Sequence, residues 1–150
     1  MELYFVIALA ACAVLLDYLK QRLTPLAYWE EDENMPQALR AMSLFNSEFK
    51  VKWRGIKGVI DQAYIDLSGR LVLLDTKTRQ DNVVKSDDIL QLSLYRVLLM
   101  GSKNVQISTQ GYVRVVYYPF NTPDMKVQYH SVRLFSTEEV CRRYGLPSPT

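Results

Sequence analysis

Asp61, Asp75 and Lys77 stand inside hydrophobic runs that would ordinarily exclude them. Residues 58–79, GVIDQAYIDLSGRLVLLDTKTR, form two apolar segments around Ser68-Gly69, the pattern of two strands joined by a turn. Residues two apart in a strand share a face, so Asp75 and Lys77 point the same way, with Leu71 and Leu73 behind them. Asp61 lies on the adjacent strand of the hairpin, close enough after the turn to meet Asp75. Two carboxylates brought together among apolar side chains repel unless positive charge sits between them. A hard divalent cation such as Mg²⁺ suits that position, because it takes oxygen ligands and retains waters for a phosphate substrate. Lys77 beside it would stabilise developing charge or help activate a bound water.

The tripeptide Asp75-Thr76-Lys77 says little by itself. Glu48-Phe49-Lys50 and Asp124-Met125-Lys126 share its pattern, and a salt-bridged strand pair would explain it equally well. Its surroundings are more informative. Gly58 precedes Asp61 by three positions and relieves crowding ahead of the acid, and the DTK triplet closes a very apolar strand. Gln91 and Tyr95 are four apart on the helix that follows, and so occupy one helical face.

Taken in order, GVID, DTK and QLSLY resemble the RecB-type branch of the PD-(D/E)XK nucleases, which includes CRISPR-associated exonucleases. That branch shows G-x-x-D, then D/E-x-K, then Q-x-x-x-Y on the next helix, and the resemblance covers about residues 35–100. It implies a restriction-endonuclease-like αβββαβ core with Asp61 and Asp75 as metal ligands, the Thr76 carbonyl as a further ligand, and Lys77 as catalytic. Gln91 and Tyr95 would orient the site or contact the nucleic-acid backbone. It also implies a Mg²⁺ or Mn²⁺ cofactor and DNA as partner. Family members usually add an upstream acid or histidine from the first helix. Here Glu48 is the best substitute, for catalysis and for the metal, with Glu33 a weaker one; the iron–sulfur cysteines of some relatives are absent.

The positioning elements follow from pattern. Thr24-Pro25 ends a first helix, and a polar linker reaches Asn34, which can cap a helix over about Pro36–Phe45. Phe49, Val51 and Trp53 alternate with Lys50, Lys52 and Arg54, as in a half-buried strand. Strands over about Gly55–Asp66 and Arg70–Thr78 come next, then a helix capped by Ser86 or Asp87 and ended by Gly101. GYVRVVYYP and KVQYHSVRLF read as two more strands, and a short helix from Ser136 stops at Gly145. The expected order is αβββαββα, an α/β domain on a central mixed sheet over residues 35–150.

Composition bounds the chemistry further. The chain has 150 residues, 49% hydrophobic and 23% charged, with a formal charge of +2, which suits one globular domain. Cys12 and Cys141 lack the C-x-x-C spacing of a zinc or redox site. His130, the single histidine, lies far along in a late strand, where a structural or exposed role is expected. Glu30 to Glu33 form an acidic run that reads as a solvated face or linker. Lys50, Lys52, Arg54 and Lys57 form a basic run, either the outer face of a strand or a footprint for phosphates, with Arg79 and Lys85 lying just after the proposed site.

Leu3–Leu16 carries no polar side chain besides the Tyr4 hydroxyl and the Cys12 thiol. Extended to Met1–Leu19 it approaches the roughly 20 residues a membrane span needs, and Lys20 and Arg22 follow at once. The expectation is an amino-terminal membrane anchor over 1–23 and a linker over 24–34, with the carboxy-terminal domain in the cytoplasm. A buried helix of the domain is the alternative. The functional expectation is a membrane-anchored, metal-dependent nuclease acting on DNA. A catalytically inactive nuclease fold that binds nucleic acid or scaffolds a complex at the membrane, with a protein partner or as a homo-oligomer, is the second reading.

Overall fold

The computed structural model describes residues 33–120 and 124–149. The expected anchor over 1–23 lies outside them, as does nearly all of the 24–34 linker. Among the described residues no helix is long and apolar enough to cross a membrane.

The elements run α1 (Gln37–Arg40), β1 (Ser43–Trp53), β2 (Ile56–Ile65), β3 (Leu71–Arg79), α2 (Ser86–Ser102), β4 (Gln110–Tyr117), β5 (Lys126–Arg133) and α3 (Thr137–Tyr144). The strands form one five-stranded sheet in sequential order. β3 and β4 are parallel, and the other neighbours are antiparallel. A parallel pair needs a crossover, and α2 supplies it. This mixed sheet with helices is the α/β architecture expected, consistent with a restriction-endonuclease-like core.

The first helix differs from expectation. Only Gln37–Arg40 is helical, and β1 begins at Ser43, inside the range expected for the helix. Two irregularities hide this strand from a period-2 reading. The β1–β2 register shifts between Leu44 and Asn46, and Glu48 adopts a φ of +48°. Each side chain beyond such a break changes face.

α2 lies against one sheet face. Leu92, Val97, Leu98 and Leu99 pack with Ile60, Ala63, Leu71, Leu73, Val113 and Val115. These residues alternate along β3 and β4, so Asp75 and Lys77 point toward α2 and Thr76 points away. Ser93 fixes α2 further: its hydroxyl donates to the Ile89 carbonyl at 2.6 Å and accepts the Phe135 N–H at 2.9 Å. The β2–β3 turn is local chemistry. Asp66 Oδ1 accepts the Ser68 and Arg70 N–H groups at 2.8 and 2.9 Å, and Gly69 takes the φ of +76° that the turn requires.

Candidate active site

The β2–β3 ladder ends at Gln62↔Leu74, one pair before Asp61 and Asp75 would face each other. Beyond that point the Thr76 N–H has lost its strand partner. Asp61 Oδ2 accepts it instead, at 2.7 Å, because a buried backbone donor left unbonded is costly. A carboxylate thus closes the gap between diverging strands and stands beside Asp75.

Asp75 is 3% exposed. Burial pushes its carboxyl above the usual carboxylate range; Lys77 pulls it back, and the neighbouring Asp61 carboxylate pushes it up again. Lys77 Nζ lies 2.8 Å from Asp75 Oδ2, an ion pair without hydrogen-bond alignment, so this buried oxygen has no hydrogen-bond donor. The same ammonium donates to Gln91 Oε1 at 2.6 Å, and Gln91 Nε2 donates to Tyr95 Oη at 2.6 Å. One line of polar contacts therefore joins β2, β3 and α2 through Asp61, Asp75, Lys77, Gln91 and Tyr95.

Gly58 completes this line sterically. A Cβ at that position would run into the Tyr95 ring, so glycine lets the ring lie flat on β2 and hold Gln91 toward Lys77. The spacing of Gly58 before Asp61 thereby has a physical reason: the glycine seats the helix residue that orients the lysine on the next strand.

The donor set suits a hard divalent cation. Two carboxylates converge where one of their oxygens lacks a donor, and an all-oxygen set supplemented by waters is what Mg²⁺ accepts. Asp61 and Asp75 would hold it, with the Thr76 carbonyl. Among the described residues no group of three or more His, Cys, Asp and Glu side chains forms, so Glu48 does not join the pair. Glu48 falls opposite Asp61 in the β1–β2 register, between Ser47↔Gln62 and Phe49↔Ile60, but its left-handed backbone takes it out of the ladder and its side chain is exposed.

The basic candidates divide. Lys52 and Arg54 are exposed at the tip of the β1–β2 hairpin, with the Arg54 guanidinium 5.7 Å from the Trp53 ring centroid. Lys85 is exposed and is the N-cap of α2, where Ser86 or Asp87 was expected. Its N–H donates to Asp88 Oδ2 at 2.8 Å. Arg79 is committed elsewhere: it donates to the Val83 carbonyl at 2.6 Å and to Asp88 Oδ1 at 2.8 Å. Arg79 therefore braces the start of α2 rather than forming part of an open phosphate rim. His130 faces Asn82, with Nε2 2.7 Å from Oδ1.

Asp88 and Arg114 are two further buried charges beside the site. Arg114 is 4% exposed on β4, on the sheet face away from α2. It donates to Gln62 Oε1 at 3.0 Å and to Thr76 Oγ1 at 2.7 Å. The signal that singles out Asp75, a charge within an apolar strand, is present in GYVRVVYYP too.

A model of the PD-(D/E)XK nuclease superfamily matches residues 8–144. The chain belongs to that superfamily. The fold is also similar to the crystal structure of SSO0001, at 16% sequence identity and a TM-score of 0.43. That similarity covers 96% of this chain and 63% of the other, so this PD-(D/E)XK chain spans less than two thirds of that protein. No curated protein matches it.

Proposed function

We propose that this chain is a Mg²⁺- or Mn²⁺-dependent nuclease that hydrolyses DNA phosphodiester bonds at the Asp61–Asp75–Lys77 centre. The observation that carries the reading is the buried Asp75 carboxylate, held beside Asp61 with a lysine ammonium 2.8 Å away. A structural ion pair would not need the second carboxylate. The order GVID, DTK, QLSLY supports the RecB-type branch.

Asp61 and Asp75, with the Thr76 carbonyl, would hold the cation, which would there supply Lewis-acid chemistry: activation of a water and polarisation of the phosphoryl oxygens. Lys77 sits where negative charge accumulates on the phosphate and compensates it in a site largely shielded from solvent. Gln91 fixes the Lys77 side chain, and Tyr95 fixes Gln91. Lys52, Arg54 and Lys85 remain open to solvent and can meet the nucleic-acid backbone.

The second reading is an inactive nuclease fold that binds nucleic acid or scaffolds a complex, with a partner protein or a second copy. One observation favours it: among the described residues no third acid joins Asp61 and Asp75. The membrane tether over 1–23, which would keep the domain in the cytoplasm, rests on sequence pattern. Set against it, the family match begins at residue 8, as it would if this run were the first element of the nuclease domain. Fractionation of the full chain separates these: a tether survives alkaline carbonate extraction in the membrane pellet, whereas a domain element does not.

Cleavage of linear, circular and single-stranded DNA by the full chain, with Mg²⁺ or Mn²⁺, tests the enzyme reading. Activity should vanish in EDTA and in Asp75→Ala and Lys77→Ala. A folded parent that binds DNA but cleaves none of the substrates would transfer the assignment to the binding subunit.

A further inference from the structure

The active-site line faces α2, yet the residue between two of its members is held from behind. Thr76 lies between Asp75 and Lys77, and its side chain points to the opposite sheet face. There Arg114 Nη2 donates to Thr76 Oγ1 at 2.7 Å, while Nη1 donates to Gln62 Oε1 at 3.0 Å. Gln62 directly follows Asp61. A single guanidinium thus grips the residue beside each metal-binding carboxylate, one on β2 and one on β3.

Its place in the ladder explains the need. β2–β3 pairing stops at Gln62↔Leu74, so no strand hydrogen bonds fix Asp61 against Asp75 beyond that pair. β3–β4 pairing continues through Thr76↔Arg114. From β4, Arg114 spans β3 and reaches β2, and the two grips restore across the split what the ladder no longer supplies. Arg114 is itself backed by its cross-strand neighbour Tyr129, whose ring centroid is 5.9 Å from the guanidinium carbon. Arginine fits this task because its planar fork presents two donors at fixed separation, which lysine cannot.

We propose that Arg114 is a positioning residue that sets the Asp61–Asp75 separation, and with it the affinity for the divalent cation, by clamping Thr76 and Gln62 from the reverse face. The proposal rests on the nuclease reading above for its metal, but the clamp has its own observable. Arg114 fixes Thr76, and the Thr76 N–H is the donor to Asp61 Oδ2. Loosening the clamp should loosen that backbone bond whether or not metal is present.

The test uses the full chain and Thr76→Val, which is isosteric and favoured in strands but offers no acceptor. Thr76→Ser, which keeps the hydroxyl, is the rescue. Three quantities are read: Mn²⁺ affinity by titration calorimetry, kcat and KM for DNA cleavage, and hydrogen exchange of the residue 76 amide in EDTA. Thr76→Val should bind Mn²⁺ about tenfold more weakly, in the range found for outer partners of metal ligands, with kcat falling and KM for DNA unchanged. Its residue 76 amide should exchange faster, and Thr76→Ser should bind Mn²⁺ more tightly, turn over faster and exchange more slowly than Thr76→Val. If Thr76→Val does not fold, Gln62→Met replaces it with the same expected outcomes. An amide exchanging no faster than in the parent overturns the clamp, as does unchanged Mn²⁺ affinity in a parent that binds the ion. A parent that takes up no Mn²⁺ contradicts the nuclease reading instead, and the amide still decides on the clamp.

Discussion

Asp75, near the end of β3, and Asp88, in the first turn of α2, are two buried aspartates that each sit 2.8 Å from a cation, and their carboxyls are shifted in opposite directions. Burial pushes both up. At Asp88 the Arg79 guanidinium and the Lys85 N–H more than offset this and hold the group below the usual carboxylate range, with a smaller pull from Lys77. At Asp75 the offset fails, because burial outweighs the pull of Lys77 and a second carboxylate, Asp61, pushes the same way as burial. A dedicated fork of donors makes a structural brace. At Asp75 one ammonium, also bonded to Gln91, meets a buried carboxylate with a second acid close by, and such arrangements concentrate at functional sites.

The contrast fails or holds first on activity. Lys77→Ala should lower kcat for DNA cleavage by about a hundredfold or more, on the scale of losing one charge-stabilising donor, while leaving the fold intact by circular dichroism. Arg79→Ala should leave the chemistry measurable. Loss of cleavage in Arg79→Ala with unchanged melting would erase the distinction between brace and site.

Gly58→Val comes next. Its side chain would displace the Tyr95 ring, cost about 1–3 kcal/mol in chemical denaturation as overpacking does, and lower kcat through Gln91 and Lys77. Retained stability with full activity would show that Tyr95 has room to move.

Asp88→Asn should destabilise by about 1–3 kcal/mol, the cost of leaving buried donors without a charged acceptor. Because its carboxyl is lowered in the folded chain, the contribution of Asp88 is present above the ordinary carboxylate range and fades as pH falls through its own value. A parent whose stability does not decline in acid relative to Asp88→Asn would contradict this. The smallest effect is expected at the exposed Arg143–Glu139 pair, 2.6 Å apart on α3. Glu139→Gln should change stability by under ~0.5 kcal/mol, as surface pairs do, with cleavage unaltered.

The grouping of the candidate site residues was more legible in the sequence than the element that opens the sheet. Asp75 and Lys77 fall in a regular strand, where period two fixes their common face, and Gln91 and Tyr95 fall in a regular helix. β1 offered no such regularity: its shift near Leu44 and the left-handed Glu48 break the alternation, and the segment before Phe49 resembles helix. Arg79 looked free because its partner, Asp88, is reached only once the chain turns into α2. Arg114 escaped notice because its partners lie on two other strands, and no local spacing records a contact between residues 52 positions apart.

Asp75→Asn joins both halves of the comparison in one protein. The Asp75 carboxyl is raised in the folded chain, so the stability linked to its protonation is present at low pH and lost as pH rises through its folded value; at neutral pH the charge is a cost. Melting temperature in EDTA at neutral pH and DNA cleavage in Mg²⁺ should therefore be measured together for the parent and for Asp75→Asn. The variant should lose cleavage and melt at the parent temperature or above it. A variant that melts several degrees lower, or that still cleaves, would show Asp75 to be a structural brace like Asp88 and not the centre of a metal-dependent active site.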